Sequence, residues 1–320
     1  MCLQSIVISP SEIGFNSSKD FNLTYQLFGK PLGTAPIVLV NHALTGNSLV
    51  AGTSGWWNQL IGKNLTINTE HFTILAFNIP GNGYDNNIEN LITNYQYFST
   101  KIIAQLFWKA LEKLNITKLY AIIGGSLGGA IAWEMAFLKP TSIEILLPIA
   151  CSYKASDWLI GNVLVQNSIL NHSSKPIEDA RMHAMLLYRT PESIQEKFQN
   201  KRDESNQSYQ IESWLKYHGK TLKDRFKLDS YKLMNHLLKT IGENITEDDF
   251  NDFLDKTTTK IHIISVDSDY MFTEKEQLNT FLFIKKKYSK VYYNKIESIH
   301  GHDAFLIEYK QLHNLLQPYF

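Results

Sequence analysis

The sequence predicts an α/β fold: a mostly parallel central sheet with helices on both faces and an inserted helical cap. Three observations predict it. Short apolar runs of strand length alternate with helical stretches from the N-terminus to about residue 150, the pattern of a parallel sheet with crossover helices. From about Cys151 to Asp255 strand-like runs vanish and polar helical stretches take over. The strand pattern then resumes, at 260–266 and 291–296. The division expected is a core of residues 1–150 and 256–320 carrying a helical cap, or lid, at 151–255.

Residues 21–28 read as an antiparallel strand. Residues 37–41 and 73–78 are continuous apolar strands, the kind covered on both sheet faces. A looser stretch between them holds Trp56 and Trp57, available to pack over the sheet end. Residues 100–114 place Ile103, Leu106, Phe107, Ala110 and Leu114 at helical spacing. A strand at 119–123, a helix ending near Pro140 and a strand at 143–148 follow. Within the insertion, 180–188, 191–200 and 231–241 read as helices, and a last helix is expected at 304–316.

Bulk properties narrow the function classes. The chain has 320 residues, a length that an α/β domain with an inserted cap reaches, and its 44% hydrophobic content suffices for a large core. Lys+Arg and Asp+Glu are both 31, so a nucleic-acid surface or an anionic-membrane patch is not expected. Cys2 and Cys151 make neither a disulfide framework nor a metal site. The segment Met1-Cys2-Leu3-Gln4-Ser5 has no basic stretch leading into an apolar one, and no apolar run has membrane-spanning length. A soluble cytoplasmic protein is the expectation.

Gly124-Gly125-Ser126-Leu127-Gly128 sits between the apolar strand and the helix that follows. Gly-x-Ser-x-Gly in that setting is the nucleophile elbow of α/β-hydrolases. A serine hydroxyl needs a base to take its proton, and the base needs a carboxylate to fix its tautomer. The chain order in that fold is serine, acid, histidine. Asp267 and Asp269 both follow the strand at 260–266, and His300 and His302 both follow the strand at 291–296. Position alone leaves either member of each pair open. As a metal pair, His300 and His302 lack the third ligand that zinc needs, so no metal is expected. The N–H groups of Leu127 and Leu44, the latter in the loop after residues 37–41, are the expected oxyanion donors.

Several segments carry a resemblance. Asn41-His42-Ala43-Leu44-Thr45-Gly46, Gly55-Trp56-Trp57 and the doubled glycines of Gly124-Gly125-Ser126-Leu127-Gly128-Gly129 resemble the homoserine O-acetyltransferase family. So do Ala180-Arg181-Met182, Leu187-Tyr188-Arg189, Glu212-Ser213-Trp214-Leu215, residues 226–231, Ser268-Asp269-Tyr270-Met271-Phe272 and Gly301-His302-Asp303-Ala304-Phe305-Leu306. The resemblance spans about residues 40 to 306. It implies Asp269 as the acid and His302 as the base. It implies that Arg181 holds an amino acid carboxylate, that Asp303 holds its amine, and that Tyr188 belongs to the same site. For Asp303 the competing reading is the N-cap of the last helix.

The activity implied is acyl transfer from acetyl-CoA or another acyl-CoA to homoserine, through an acyl-serine, in methionine biosynthesis. No cofactor is permanently bound in this reading, and a homodimer paired through the cap helices is implied. Two departures bear on donor and acceptor. The family's longer glycine- and serine-rich loop is here Asn78-Ile79-Pro80-Gly81-Asn82-Gly83-Tyr84, and Val165-Gln166-Asn167 supply no arginine where the helix after Trp158 usually carries one. The same fold and triad would serve a serine esterase, or a transferase to another hydroxy amino acid such as serine. Arg181 together with Asp303, a pair suited to a zwitterion, favours transfer.

Overall fold

The structure, a computed structural model, describes residues 2–203 and 207–320; Met1 and residues 204–206, the latter within the expected insertion, lie outside the described residues. It has the α/β-hydrolase fold, built on one eight-stranded sheet. The strands are β1 (Gln4–Ile8), β2 (Phe21–Gly29), β3 (Ile37–Asn41), a short separate pair β4 (Ile61–Gly62) and β5 (Ile67–Asn68), β6 (Thr73–Phe77), β7 (Leu119–Gly125), β8 (Ile143–Ile149), β9 (Lys260–Val266) and β10 (Val291–Ile296). In the main sheet the order is β1-β2-β6-β3-β7-β8-β9-β10. β1 and β2 form an antiparallel edge, and β6 through β10 run parallel.

The helices are α1 (Thr100–Lys113), α2 (Leu127–Leu138), α3 (Asp157–His172), α4 (Pro176–Tyr188), α5 (Pro191–Phe198), α6 (Gln210–Arg225), α7 (Leu228–Lys239), α8 (Glu247–Lys256), α9 (Glu274–Lys285) and α10 (Tyr309–Leu316). Six of them, α3 to α8, lie between β8 and β9. Two apolar clusters pack against the sheet. One joins Leu39, Leu75 and Ile122 to α1, α2 and the insertion; the other joins Val38, Ile74 and Ile123 to Trp57, Phe305 and Leu312. Alternate residues of one strand therefore feed opposite faces, as the strand period of two requires. That is why the central strands read as unbroken apolar runs.

β3 lies between β6, which follows it in sequence, and β7, so the strand order reverses there. A crevice opens beyond the carboxyl ends of strands at such a reversal. The loops after β3, β7, β9 and β10 all leave from that rim.

The structure adds one strand that the sequence reading lacked and corrects one helix. The edge strand β1 has a mostly exposed, mixed sequence and gave no strand signal. The last helix does not run unbroken from 304 to 316: a 3-10 turn, Gly301–Leu306, precedes α10. The indole N–H of Trp57 donates to the Phe305 carbonyl at 3.3 Å, an acceptor that a continuous helix would give to the N–H four residues on. Asp303 sits inside this turn, whose N-cap position is His300, so it is not the cap of a last helix.

Candidate active site

Ser126 stands between β7 and α2 with φ 57° and ψ −130°. A non-glycine residue in this sparsely populated region costs on the order of 1–3 kcal/mol and persists only where the surroundings impose it. Here the surroundings are close-packed backbone. A Cβ added to Gly124 would lie 2.5 Å from the Gly128 carbonyl carbon, and one added to Gly128 would lie 2.4 Å from the Asn41 carbonyl oxygen. Glycine at both positions lets strand and helix cross closely enough to turn the serine outward. As the first residue of α2, Leu127 has an N–H with no carbonyl partner inside the helix.

The structure brings Ser126, His302 and Asp269 into one hydrogen-bonded line. Ser126 Oγ is 2.9 Å from His302 Nε2, and His302 Nδ1 is 2.7 Å from Asp269 Oδ2. An ionised carboxylate only accepts, so Nδ1 carries the proton and Nε2 is left to accept from the serine. Asp269 Oδ1 accepts from the N–H groups of Met271 (2.7 Å) and Phe272 (3.0 Å), which fixes the carboxylate's orientation. The rings of Tyr188, Phe272 and Phe305 surround the imidazole at 5.6, 5.7 and 5.6 Å. Ser126 and His302 are only 3% and 4% exposed. Burial works against the His302 imidazolium, but the charge and hydrogen bond of Asp269, with help from Asp303, outweigh it and raise its pKa above the ordinary value.

The alternatives that spacing left open face elsewhere. Asp267 Oδ1 accepts from the Ser298 N–H at 3.0 Å. His300 Nδ1 lies 2.9 Å from Ser193 Oγ, on α5. Gly301 between the two histidines has φ +66°, and a Cβ there would lie 2.8 Å from the Tyr188 carbonyl oxygen. This glycine lets the histidine loop dock against the end of α4.

Leu44 is buried on the loop after β3, where Gly46 N–H donates to the Ala43 carbonyl at 2.9 Å. Arg225, at the end of α6, donates to the Thr45 carbonyl at 2.8 Å and ties the insertion to this loop. His42 is the loop's inner brace. Its Nδ1 lies 2.7 Å from the Ala43 carbonyl and its Nε2 accepts from Ile79 N–H at 3.0 Å. Neither the Arg225 contact nor the His42 brace was readable in the sequence, because their partners are set by the fold and not by spacing.

Burial pushes the His42 pKa down to about 4, against a smaller raising effect of the Ala43 carbonyl. The residue is therefore neutral in the folded protein. Between pH 6.5 and about 4 the unfolded chain takes up a proton that the folded site refuses, so His42 withdraws stability as pH falls through this window. The loss amounts to about 3 kcal/mol by the end of it. His42→Gln is expected to show a shallower loss of unfolding free energy between pH 7 and 5 than wild type, measured in urea. Identical slopes would remove His42 from this account.

Arg181 and Tyr188 share a face of α4, with the guanidinium carbon 5.4 Å from the ring centre. Arg181 has no ion-pair partner among the described residues. Asp303 Oδ2 is 3.7 Å from Arg189 Nη1, a neighbour that the sequence reading did not name as a site residue. Burial raises the Asp303 pKa; Arg181, His302 and Arg189 pull it down, and Asp269 pushes it up. The arrangement offers a buried nucleophile with a base and acid in line, and beside it an arginine and a carboxylate of opposite charge. Among the described residues no group of three or more His, Cys, Asp and Glu is placed to hold a metal ion, and no helix is long and apolar enough to cross a membrane.

Comparison with known proteins adds the following. A family model for the alpha/beta hydrolase fold matches residues 36–144. The chain is 31% identical to a homoserine O-acetyltransferase of Cyclobacterium marinum, over 100% of this chain and 93% of that protein. Among solved structures, homoserine O-acetyltransferase from Staphylococcus aureus superposes with a TM-score of 0.81 at 20% identity, over 99% of this chain and 94% of the other. Esterase E22 superposes with a TM-score of 0.84 at 16% identity, over 99% of this chain and 100% of the other. At those identities the two solved structures speak to the fold alone.

Proposed function

The chain belongs to the homoserine O-acetyltransferase family, and from that premise we propose that it transfers an acetyl group from acetyl-CoA to the hydroxyl of homoserine through an acyl-serine. One observation carries the proposal: the hydrogen-bonded line from Ser126 through His302 to Asp269 at the sheet rim. His302 Nε2 takes the proton of Ser126 as Oγ attacks the thioester carbonyl. The N–H groups of Leu127 and Leu44 hold the oxyanion. The tetrahedral adduct collapses, the C–S bond breaks, and coenzyme A leaves with the proton from His302. His302 then takes the hydroxyl proton of homoserine as that oxygen attacks the acyl-serine. Collapse of the second adduct releases the ester and returns the proton to Ser126 Oγ.

The acceptor's carboxylate sits on Arg181, whose guanidinium fork suits it, and its ammonium group beside Asp303. Tyr188 adjoins both Arg181 and His302, at 5.4 and 5.6 Å, which supports a small acceptor held by Arg181 within reach of the base. What favours transfer over hydrolysis is Arg181 together with Asp303, opposite charges suited to a zwitterionic acceptor.

The test is partition. Purified protein is given acetyl-CoA with and without homoserine, and thiol release and ester are followed together. Ester formed in step with thiol is the expected result. Thiol release indifferent to homoserine, with no ester, would make the protein an esterase-like hydrolase. Arg181→Ala is expected to raise the homoserine KM about 10–10²-fold, the worth of a charge-assisted pair, while changing the first-turnover thiol burst far less. Equal loss in both half-reactions would contradict the role given to Arg181.

A further inference from the structure

Arg189 has contacts that the reaction scheme does not use. It follows the last residue of α4 in extended conformation, and its side chain is 13% exposed. Its Nε donates to Ser193 Oγ on α5 at 3.2 Å, and one terminal nitrogen lies 3.4 Å from His300 Nδ1. The other terminal nitrogen is the one 3.7 Å from Asp303 Oδ2. His300 Nδ1 and Ser193 Oγ are themselves 2.9 Å apart. Thr190 Oγ1 donates to the Ile299 carbonyl and closes the same corner. The guanidinium is thus held by the start of α5 on one side and the histidine turn on the other.

We infer that Arg189 is a positioning residue for the acceptor amino acid: it holds one oxygen of the Asp303 carboxylate and leaves the other for the acceptor's ammonium group. This rests on the reading that Asp303 receives that group. Neither Asp303 oxygen makes a hydrogen bond among the described residues; Oδ2 is the one that faces Arg189, at ion-pair distance. A braced guanidinium already facing a carboxylate is unsuited to take the substrate's own carboxylate, whereas Arg181, stacked on Tyr188 without an ion pair, is suited to it. The two arginines, eight residues apart in sequence, thereby divide the work: one binds, the other fixes the partner that binds.

The charged groups facing Asp303 are Arg181 from α4, Arg189 just past it, His302 in its own turn and Asp269 from the loop after β9. Arg189 is among those that favour the ionised form. Its removal leaves more Asp303 protonated at a given pH, and a protonated Asp303 attracts an ammonium group less. The acid limb of kcat/KM for the acceptor therefore moves to higher pH.

The test compares full-length Arg189→Gln, Arg189→Lys and Asp303→Asn in thiol burst with acetyl-CoA and in homoserine KM across pH. Arg189→Gln is expected to raise KM about tenfold, the effect of losing roughly 1.4 kcal/mol of binding, to change the burst far less, and to shift the acid limb upward. Arg189→Lys should restore most of the limb. A wild-type KM and limb in Arg189→Gln, with KM raised in Asp303→Asn, would overturn the positioning role and leave the role of Asp303 standing. An unchanged KM in Asp303→Asn would overturn that underlying role and the inference with it. Should Arg189→Gln not fold, Ser193→Ala, which removes one brace, is read on the same limb: an upward shift supports the inference and a wild-type limb overturns it.

Discussion

Ser126→Ala is expected to lower turnover by about 10⁵–10⁶-fold and to remove thiol release and ester formation together. The reason is chemical before it is structural. In the proposed scheme both half-reactions pass through a bond to Oγ, so no rate-limiting change can spare one of them. The substitution leaves the backbone strain at φ 57° and ψ −130° as it was, because alanine carries the same Cβ as serine. The variant should therefore fold much as wild type does, which separates loss of chemistry from loss of structure. A folded Ser126→Ala that still exchanges acetyl groups would require another nucleophile. Cys151 is the nearby thiol, packed against Gly129, but burial and the Asp269 charge raise its pKa and oppose formation of the thiolate.

Asp269→Asn should cost about 10⁴-fold in turnover with little change in the fold. Asparagine preserves the shape and can still accept from Met271 and Phe272, but it no longer offers a carboxylate to His302 Nδ1. The imidazole is then free to place its proton on Nε2, where it faces Ser126 and cannot accept. The acid limb of the remaining rate should move to lower pH, since the carboxylate is what lifts the His302 pKa against burial. A loss of tenfold or less, with an unmoved limb, would mean that Asp269 does not set the tautomer.

Much of the fold was legible in the sequence where one residue pattern had one physical solution. Residues 38–40, 74–77 and 145–149 are buried on both faces, so their sequences are apolar throughout. Ser126 was legible because a glycine-flanked serine between strand and helix is required by the close crossing of β7 and α2. Spacing did not choose between Asp267 and Asp269, since both leave β9 at the rim. The choice is made by the tight turn in which Asp269 Oδ1 takes two backbone N–H groups, turning Oδ2 toward His302. The resemblance named the same aspartate without giving that reason.

What was not legible depends on residues that meet only after folding. The last helix breaks because Trp57, 248 positions earlier, takes the carbonyl of Phe305. The brace of His42 on Ile79 joins loops from two different strands. Arg189 looks like an ordinary charged residue at a helix end, and only the packing of α4 on the histidine turn puts it beside Asp303. Local pattern encodes the elements and the serine turn between β7 and α2; the groups that orient them are encoded in long-range contacts.

The central claim is that the acetyl group rests on Ser126 between donor and acceptor. The direct measurement is the intact-protein mass after mixing with acetyl-CoA alone, followed by fragmentation to locate the adduct and then by addition of homoserine. One acetyl group on Ser126, discharged into O-acetylhomoserine as homoserine is added, is the result expected. Ester formed at full rate with no acetyl group ever carried on Ser126 would contradict it.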